Sequence, residues 1–267
     1  MKFFLYFLCI SIFSIFLSVV PAYCEYNLAT GKEENLFLSS KKEAKMGRSI
    51  SKSVEKKFDL SENYTYQEKV GLIGQKLVDV CDRRDLTYYF KVIDEEGVDN
   101  AFALPGGYVY IFESLMEKMD TDDELAAVLA HEIGHICARH SAKRFQGSFG
   151  YQLLRILAVK GAESSQDARR INEALTQLVL SYSREDEFEA DALAVRYLDR
   201  AGYDKSAVIS MIDKLIEINL DGPIRSKRYW HTHPYLGARR SAAFLEITGQ
   251  MDFDAYINVT DDEEYIN

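Results

Sequence analysis

The chain has 267 residues, of which 47% are hydrophobic, and its formal net charge is -10. This length and composition suit one globular domain with a substantial core, with or without extensions. The acidic balance and the lack of a basic stripe argue against nucleic acid as a partner. The four cysteines follow no framework spacing, so Cys81 and Cys137 could form a disulfide or remain as two buried free thiols.

The first segment of the chain is an apolar run over residues 3–20 that follows Met1 and Lys2, as in a secretory signal. We expect a signal peptide over residues 1–22 and export to the bacterial periplasm. Because the run is long for a signal core, an uncleaved membrane anchor is the alternative. The acidic tail over residues 251–267 is expected to be loosely ordered.

Helical and strand patterns follow one another through the first half of the chain. Residues 41–58 and 65–81 each have apolar positions at helical spacing. The first of these is interpreted as a surface helix, with peripheral membrane binding as the alternative. Aromatic and β-branched residues predict strands over residues 88–93, 100–104 and 108–111. The predicted fold is therefore α+β, mostly helical, with a small sheet of about three strands beside the next helix.

That next helix contains a His-Glu-x-x-His pattern. Thr121 followed by Glu124 predicts a capping box at its start. His131 and His135 are four residues apart, so their side chains share one helix face and can bind one metal ion. Glu132 points aside and can reach a water molecule at the metal as a general base. By itself the pattern is of moderate specificity, because two histidines can share a helix by accident.

A third metal ligand is predicted from an acidic cluster over residues 185–191. Charge runs on helices usually face solvent, but the core-facing spacing of this segment includes Glu187, with Asp191 beside it. Two like charges four residues apart are unfavourable in a core unless a cation lies with them. We therefore predict Glu187 as a ligand and Asp191 as the residue that orients a ligand imidazole. The remaining acidic residues are interpreted as solvent-facing, with Glu189 as the alternative ligand.

A second pair of histidines lies near the C-terminal end. His231 is interpreted as a surface residue. His233 precedes Pro234, which disfavours helical backbone and predicts a stiff loop. His233 could be an extra metal ligand in a resting state or a donor to the developing oxyanion. Arg239 begins a final amphipathic helix and could contact the same site.

Four motifs occur in order along the chain. They are the segment over residues 100–107, His131-Glu132-Ile133-Gly134-His135, Ser183-Arg184-x-x-Glu187-x-x-Ala190-Asp191, and Thr232-His233-Pro234. In this combination the chain resembles peptidase family M48, the HtpX-like and CAAX-prenyl-protease-like gluzincins, as a secreted bacterial member. The resemblance implies a zincin-like metallopeptidase domain, which we expect over residues 23–250, and one zinc ion. It further implies zinc ligands at His131, His135 and Glu187, a base at Glu132, and a latent-state zinc contact for His233.

The resulting hypothesis is zinc-dependent endoproteolysis of misfolded or unassembled envelope proteins. Glu132 would transfer the proton from water to the leaving amine, and His233 or Arg239 would stabilise the oxyanion. An extended polypeptide substrate would bind along the strand edge formed by Asn100, Ala101, Phe102 and Ala103. The alternatives are a latent or non-proteolytic holdase for unfolded envelope proteins and a zinc hydrolase acting on non-peptide bonds.

Overall fold

A computed structural model describes residues 24–35, 38–146, 182–221 and 232–250. The predicted leader, the acidic tail and His231 lie outside these residues. The described elements, in chain order, are β1 (Cys24–Asn27), β2 (Lys32–Asn35), α1 (Ser40–Lys57), α2 (Tyr64–Val78), β3 (Tyr89–Ile93), β4 (Ala101–Leu104), β5 (Tyr108–Phe112), α3 (Glu113–Lys118), α4 (Asp122–Cys137), α5 (His140–Gln146), α6 (Arg184–Ala201), α7 (Ala207–Asp221) and α8 (Leu236–Thr248). The predicted α+β fold, mostly helical with a small sheet, is confirmed.

Helix α4 runs through the core of the domain. It begins at the predicted N-cap, where the Thr121 hydroxyl accepts the backbone N–H of Glu124 at 3.1 Å. The Glu124 carboxylate accepts the N–H of Asp120 rather than that of Thr121, so only half of the predicted capping box forms. From Glu124 to the end of the helix every side chain is buried. A helix surrounded by protein on all sides is a rigid support for the residues it positions.

Helices α4 and α6 pack closely because small residues meet between them. A Cβ atom placed on Gly134 would lie 2.8 Å from the backbone oxygen of Ala190. Helix α6 begins with a capping box between Ser183 and Asp186, and it ends at Gly202, which has φ +73°. The close contact brings the His-Glu-x-x-His pattern beside the acidic face of α6.

The three-stranded sheet has the order β3-β5-β4. Strands β4 and β5 form an antiparallel hairpin, whereas β3 pairs with β5 in parallel. Phe102 and Leu104 pack with α1 on one face, and Ala101 and Ala103 join the core around α4 on the other. Because β5 lies between the other two strands, β4 is an edge strand of this sheet.

A second hairpin, β1–β2, lies at the start of the described chain and was not predicted. It packs on the C-terminal end of α4, where the Asn27 amide donates to the Cys137 carbonyl at 3.0 Å. It also contacts α6, since Arg196 donates to the Ala29 carbonyl at 3.2 Å. Within the described ranges, no helix is both long and apolar enough to cross a membrane.

Candidate active site

Four buried side chains from three parts of the chain meet at one point. His131 and His135 come from α4, Glu187 from the first turns of α6, and His233 from the loop before α8. None of the four is exposed to solvent. One donor atom from each lies within 4.8 Å of the others. The structure thus brings together residues that are up to about a hundred positions apart in sequence.

The spacing of these donor atoms fits a tetrahedral metal ion. His131 Nε2 lies 3.0 Å from His135 Nε2 and 3.2 Å from His233 Nδ1. Glu187 Oε1 lies 3.1 Å from His233 Nδ1 and 3.4 Å from His135 Nε2, and its Oε2 lies 3.5 Å from His131 Nε2. Four donors at about 2.0–2.1 Å from a tetrahedral zinc ion are about 3.3–3.4 Å apart. A neutral imidazole has only one N–H to donate, so nitrogens this close favour a cation among them.

Glu132 lies next to this group and is fully buried. Neither oxygen of its carboxylate makes a hydrogen bond in the described structure, and Oε1 lies 3.4 Å from His233 Nε2. Burial raises the pKa of Glu132, although the nearby imidazoles of His233 and His131 partly oppose this shift. A buried carboxylate without hydrogen bonds is costly and calls for a functional explanation. A raised pKa suits a group that accepts and then returns a proton.

Asp191 and Arg239 lie next to the four-donor group, which is called the metal group below. Asp191 Oδ1 lies 2.8 Å from His131 Nδ1, so His131 can donate there and leave the lone pair of Nε2 for a cation. Arg239, also fully buried, donates to both oxygens of Asp191 at 2.7 and 2.8 Å. Its Nη1 lies 2.7 Å from Glu187 Oε2 and donates to the His233 carbonyl at 3.3 Å.

These pairings set the charges of the two carboxylates. Burial opposes ionisation of Asp191, but the charges of Arg239 and His131 outweigh it and lower its pKa. Burial likewise opposes ionisation of Glu187, and His233 and Arg239 hold its pKa well below the ordinary range. Both carboxylates are therefore ionised and available to a cation or to an N–H donor at neutral pH.

His140 is a residue of this region that sequence reasoning missed. Its Nδ1 lies 2.8 Å from His135 Nδ1, on the side facing away from the four donors. Its Nε2 lies 3.1 Å from Glu189 Oε2 and 3.3 Å from Asp186 Oδ1. Glu189, the alternative ligand, thus lies outside the four-donor group. The available signal was a fifth histidine only five residues after His135.

Tyr182 is a second residue without a predicted role. Its ring stacks on the imidazole of His135, with centroids 3.7 Å apart and an interplanar angle of 18°. Its hydroxyl lies 2.9 Å from Ser141 Oγ, and its backbone N–H donates to the Thr232 carbonyl at 3.2 Å. Tyr182 therefore links α4, α5 and the loop of His233. Aromatic stacking has no sequence spacing by which it could have been anticipated.

The four predicted substrate-binding residues are buried. The Asn100 carbonyl accepts the N–H of Phe112 on β5, whereas the Ala103 carbonyl accepts the Ser141 hydroxyl at 3.3 Å. Because backbone groups alternate along a strand, Ala101 and Ala103 direct theirs away from β5. The Asn100 side chain accepts the Thr232 hydroxyl at 3.2 Å, so this edge lies beside the His233 loop.

Comparison with known proteins adds an independent finding. The model of peptidase family M48 matches residues 65–245, which include every residue of the four-donor group. The chain is 27% identical over 192 residues to the beta-barrel assembly-enhancing protease of Escherichia coli K12, covering 67% of this chain and 39% of that protein. It is 31% identical over 148 residues to the mitochondrial metalloendopeptidase OMA1 of Schizosaccharomyces pombe, covering 55% of this chain and 43% of that protein. For the Saccharomyces cerevisiae OMA1 the identity is 33% over 150 residues, with 54% and 42% covered. The chain spans about two fifths of the length of these curated relatives.

Proposed function

Because the chain belongs to peptidase family M48 and is a metallopeptidase, we propose that it is a zinc-dependent endopeptidase with Glu132 as its general base. His131, His135 and Glu187 would hold the metal, and His233 would add a fourth donor in a resting state. The observation that carries the proposal is the buried four-donor group next to a carboxylate that makes no hydrogen bond to any described residue.

Zinc is the metal that this donor set favours. Imidazole nitrogens with one carboxylate suit zinc, and the observed donor spacing matches its tetrahedral preference. When bound, the metal supplies a Lewis acid that polarises a carbonyl and promotes deprotonation of water. Asp191 keeps the Nε2 lone pair of His131 directed at the metal, and Arg239 fixes Asp191 by two parallel hydrogen bonds.

Glu132 performs the proton transfers. As water attacks the scissile carbonyl, the carboxylate takes a proton and then returns it to the leaving amine. Its burial keeps bulk water away from the transferred proton and raises its pKa towards the working range. A positioned base of this kind contributes about 10²–10⁴-fold in rate.

His233 makes the described arrangement a resting one. Its Nδ1 lies 3.2 Å from His131 Nε2 and its Nε2 lies 3.4 Å from Glu132 Oε1, so the ring would offer a bound metal a fourth donor and crowds the base. Catalytic zinc sites keep that fourth position open, whereas sites with four protein ligands are closed. The His233 loop therefore has to move before a peptide is cleaved, after which the ring can serve as a donor to the oxyanion.

The substrate is an extended polypeptide that adds to the edge of β4. The backbone groups of Ala101 and the N–H of Ala103 point away from β5 and supply hydrogen bonds to such a chain, whereas the Ala103 carbonyl already accepts the Ser141 hydroxyl. The bacterial relative's name refers to β-barrel assembly, which supports misfolded or unassembled envelope proteins as the natural class. We further propose export by the leader over residues 1–22, action in the periplasm, and a single catalytic domain over residues 23–250.

Substitution of the base tests this function. Glu132→Gln is expected to retain metal but to lose cleavage of an unfolded protein such as casein by at least about a hundredfold. Glu124→Gln, on the same helix but at its N-terminal cap, is the matched control and should cleave. Full activity of Glu132→Gln would refute the assignment of the base.

His233→Ala distinguishes the protease from a holdase. Removing the ring opens the fourth position, so cleavage of casein is expected to rise above that of the wild type. If neither protein cleaves but both bind unfolded chains, the alternative function as a non-proteolytic binding module is the correct one.

A further inference from the structure

The two histidines of α4 are supported in different ways on the sides that face away from the metal group. His131 contacts a carboxylate directly, at 2.8 Å from Asp191. His135 instead contacts a third imidazole, with its Nδ1 at 2.8 Å from His140 Nδ1. His140 is buried, with 1% of its surface exposed. Such a short contact between two ring nitrogens requires that one of them donates and the other accepts.

The direction of this hydrogen bond follows from the other ends of the two rings. His135 Nε2 faces the metal group, so a metal-binding ring has its proton on Nδ1 and donates to His140. His140 then accepts at Nδ1 and has its own proton on Nε2. That nitrogen has two carboxylate acceptors, Glu189 Oε2 at 3.1 Å and Asp186 Oδ1 at 3.3 Å. When the rings of His135 and His140 are both neutral, the N–H group of each ring therefore has an acceptor.

The series ends on the N-terminal hairpin. Lys32, on β2, donates to Glu189 Oε1 at 2.7 Å. We refer to His135, His140, Glu189 and Lys32 together as the outer hydrogen-bond chain. Exposure rises along it, from 0% for the side chain of His140 to 21% for Glu189 and 68% for Lys32. The hairpin lies outside the region that matches the family model, which begins at residue 65.

We propose that His140 is a positioning residue that fixes the tautomer and orientation of His135 for metal binding, through the outer hydrogen-bond chain that ends on Lys32. The proposal rests on the proposed function, since it takes His135 as a metal ligand. His140 does not touch the metal group; it acts through the ring of His135. The stacked ring of Tyr182 restricts tilting of His135, whereas only His140 reaches its Nδ1 among the described residues.

Two substitutions of His140 separate its hydrogen bond from its bulk. Asparagine places Oδ1 as many bonds from the backbone as the Nδ1 of histidine, so His140→Asn can still accept from His135. His140→Leu fills similar space but cannot accept. Loss of such a supporting partner typically costs 10–100-fold in metal affinity or activity. We expect His140→Leu to raise the zinc dissociation constant by about 10–100-fold, and His140→Asn to restore most of that loss.

The readout is the zinc dissociation constant from competition with a chromophoric chelator, with the visible spectrum of the cobalt-substituted protein as a second measure of ligand geometry. If only the side-chain volume at residue 140 mattered, His140→Leu and His140→Asn would change the zinc dissociation constant to the same extent. If folded His140→Leu binds zinc as the wild type does, or if His140→Asn is no better than His140→Leu, the proposal is overturned.

Substitutions of Glu189 and Lys32, the two outermost residues of the outer hydrogen-bond chain, test the proposal even if His140→Leu folds poorly. Glu189→Ala is expected to weaken zinc binding, while Glu185→Ala, exposed on the same helix, should not. Lys32→Met is expected to have a smaller effect, at most about fivefold, because exposed ion pairs contribute little. Its matched control is Lys143→Met. Lys143 also forms an ion pair with a glutamate of the hairpin, with its Nζ 2.7 Å from Glu34 Oε1, but it is not part of the outer hydrogen-bond chain. No difference between Glu189→Ala and Glu185→Ala would count against the proposal.

The same titrations distinguish failure of this inference from failure of the proposed function. If the wild type binds no zinc, or if His135→Ala binds it unchanged, the metal site itself has been misassigned. If the wild type binds zinc and requires His135, but every variant of the outer hydrogen-bond chain binds equally well, only the positioning role is refuted.

Discussion

Replacing Arg239 by methionine tests whether the charges behind the metal group stabilise the fold. The guanidinium is fully buried and contacts both oxygens of Asp191, at 2.7 and 2.8 Å, and Glu187 Oε2, at 2.7 Å. Arg239→Met keeps most of the apolar volume but leaves two buried carboxylates without their cation. Breaking a buried ion pair by removing one partner costs about 3–5 kcal/mol. We expect a loss of this size in the free energy of unfolding of the metal-free protein.

The next residue offers a matched control. Arg240 also forms a two-fold contact with a carboxylate, donating to Asp213 at 2.6 and 3.2 Å, but both side chains are partly exposed. Exposed pairs contribute about 0–1 kcal/mol, so Arg240→Met should be nearly neutral. Urea unfolding in the presence of a chelator measures both variants. A loss of about 3–5 kcal/mol lowers the urea midpoint by about 1–2.5 M, given a dependence of about 2–3 kcal/mol per molar urea. Equal midpoints for Arg239→Met and Arg240→Met would refute the reasoning.

Three further predictions concern packing, pH and the metal. Gly134→Ala places a Cβ atom 2.8 Å from the Ala190 carbonyl and should lower both the melting temperature and the zinc content. At Gly71, an added Cβ atom would meet no atom of the described residues within 4 Å, so Gly71→Ala should stabilise the protein by about 0.5–1 kcal/mol. Burial opposes ionisation of Glu55, but hydrogen bonds, chiefly from Lys91, outweigh burial and lower the pKa of Glu55 below the ordinary 4.5. The stabilisation that ionised Glu55 gives the fold is therefore present above pH 4.5 and is lost as the pH falls further. Glu55→Gln should therefore cost about 1 kcal/mol at pH 7 and almost nothing near pH 3, by urea unfolding at each pH. Treatment with a chelator should abolish casein cleavage, and added zinc should restore it; cleavage that survives complete metal removal would contradict a metal-dependent reaction.

Local signals were sufficient for the helix that contains the histidine pair. Thr121 at the N-cap, acidic residues in the first turn and an unbroken run of helix-forming residues fix α4 without tertiary information. The placement of Glu187 was also predictable, because its phase relative to the apolar positions of α6 put a carboxylate into the core. The structure buries Glu187 completely beside the two histidines.

Features that depend on distant contacts could not be read from the sequence. The strands of the hairpin β1–β2 are only four residues long and mostly polar, and the hairpin is stabilised by contacts such as that of Asn27 with Cys137, 110 positions away. The parallel pairing of β3 with β5 likewise has no local signature. His140 and Tyr182 were missed for the same reason, since their roles arise from ring contacts that only the packing of α4, α5 and α6 creates.

The most direct test of the account is the zinc content of the wild type and of Glu187→Ala after equilibration with zinc and removal of the excess. We expect one zinc ion per wild-type chain and a large loss of bound zinc in Glu187→Ala, with loss of casein cleavage in the same sample. A stoichiometric zinc ion in folded Glu187→Ala, or none in the wild type, would contradict the central claim that a carboxylate on α6 completes the metal site begun by the histidines of α4.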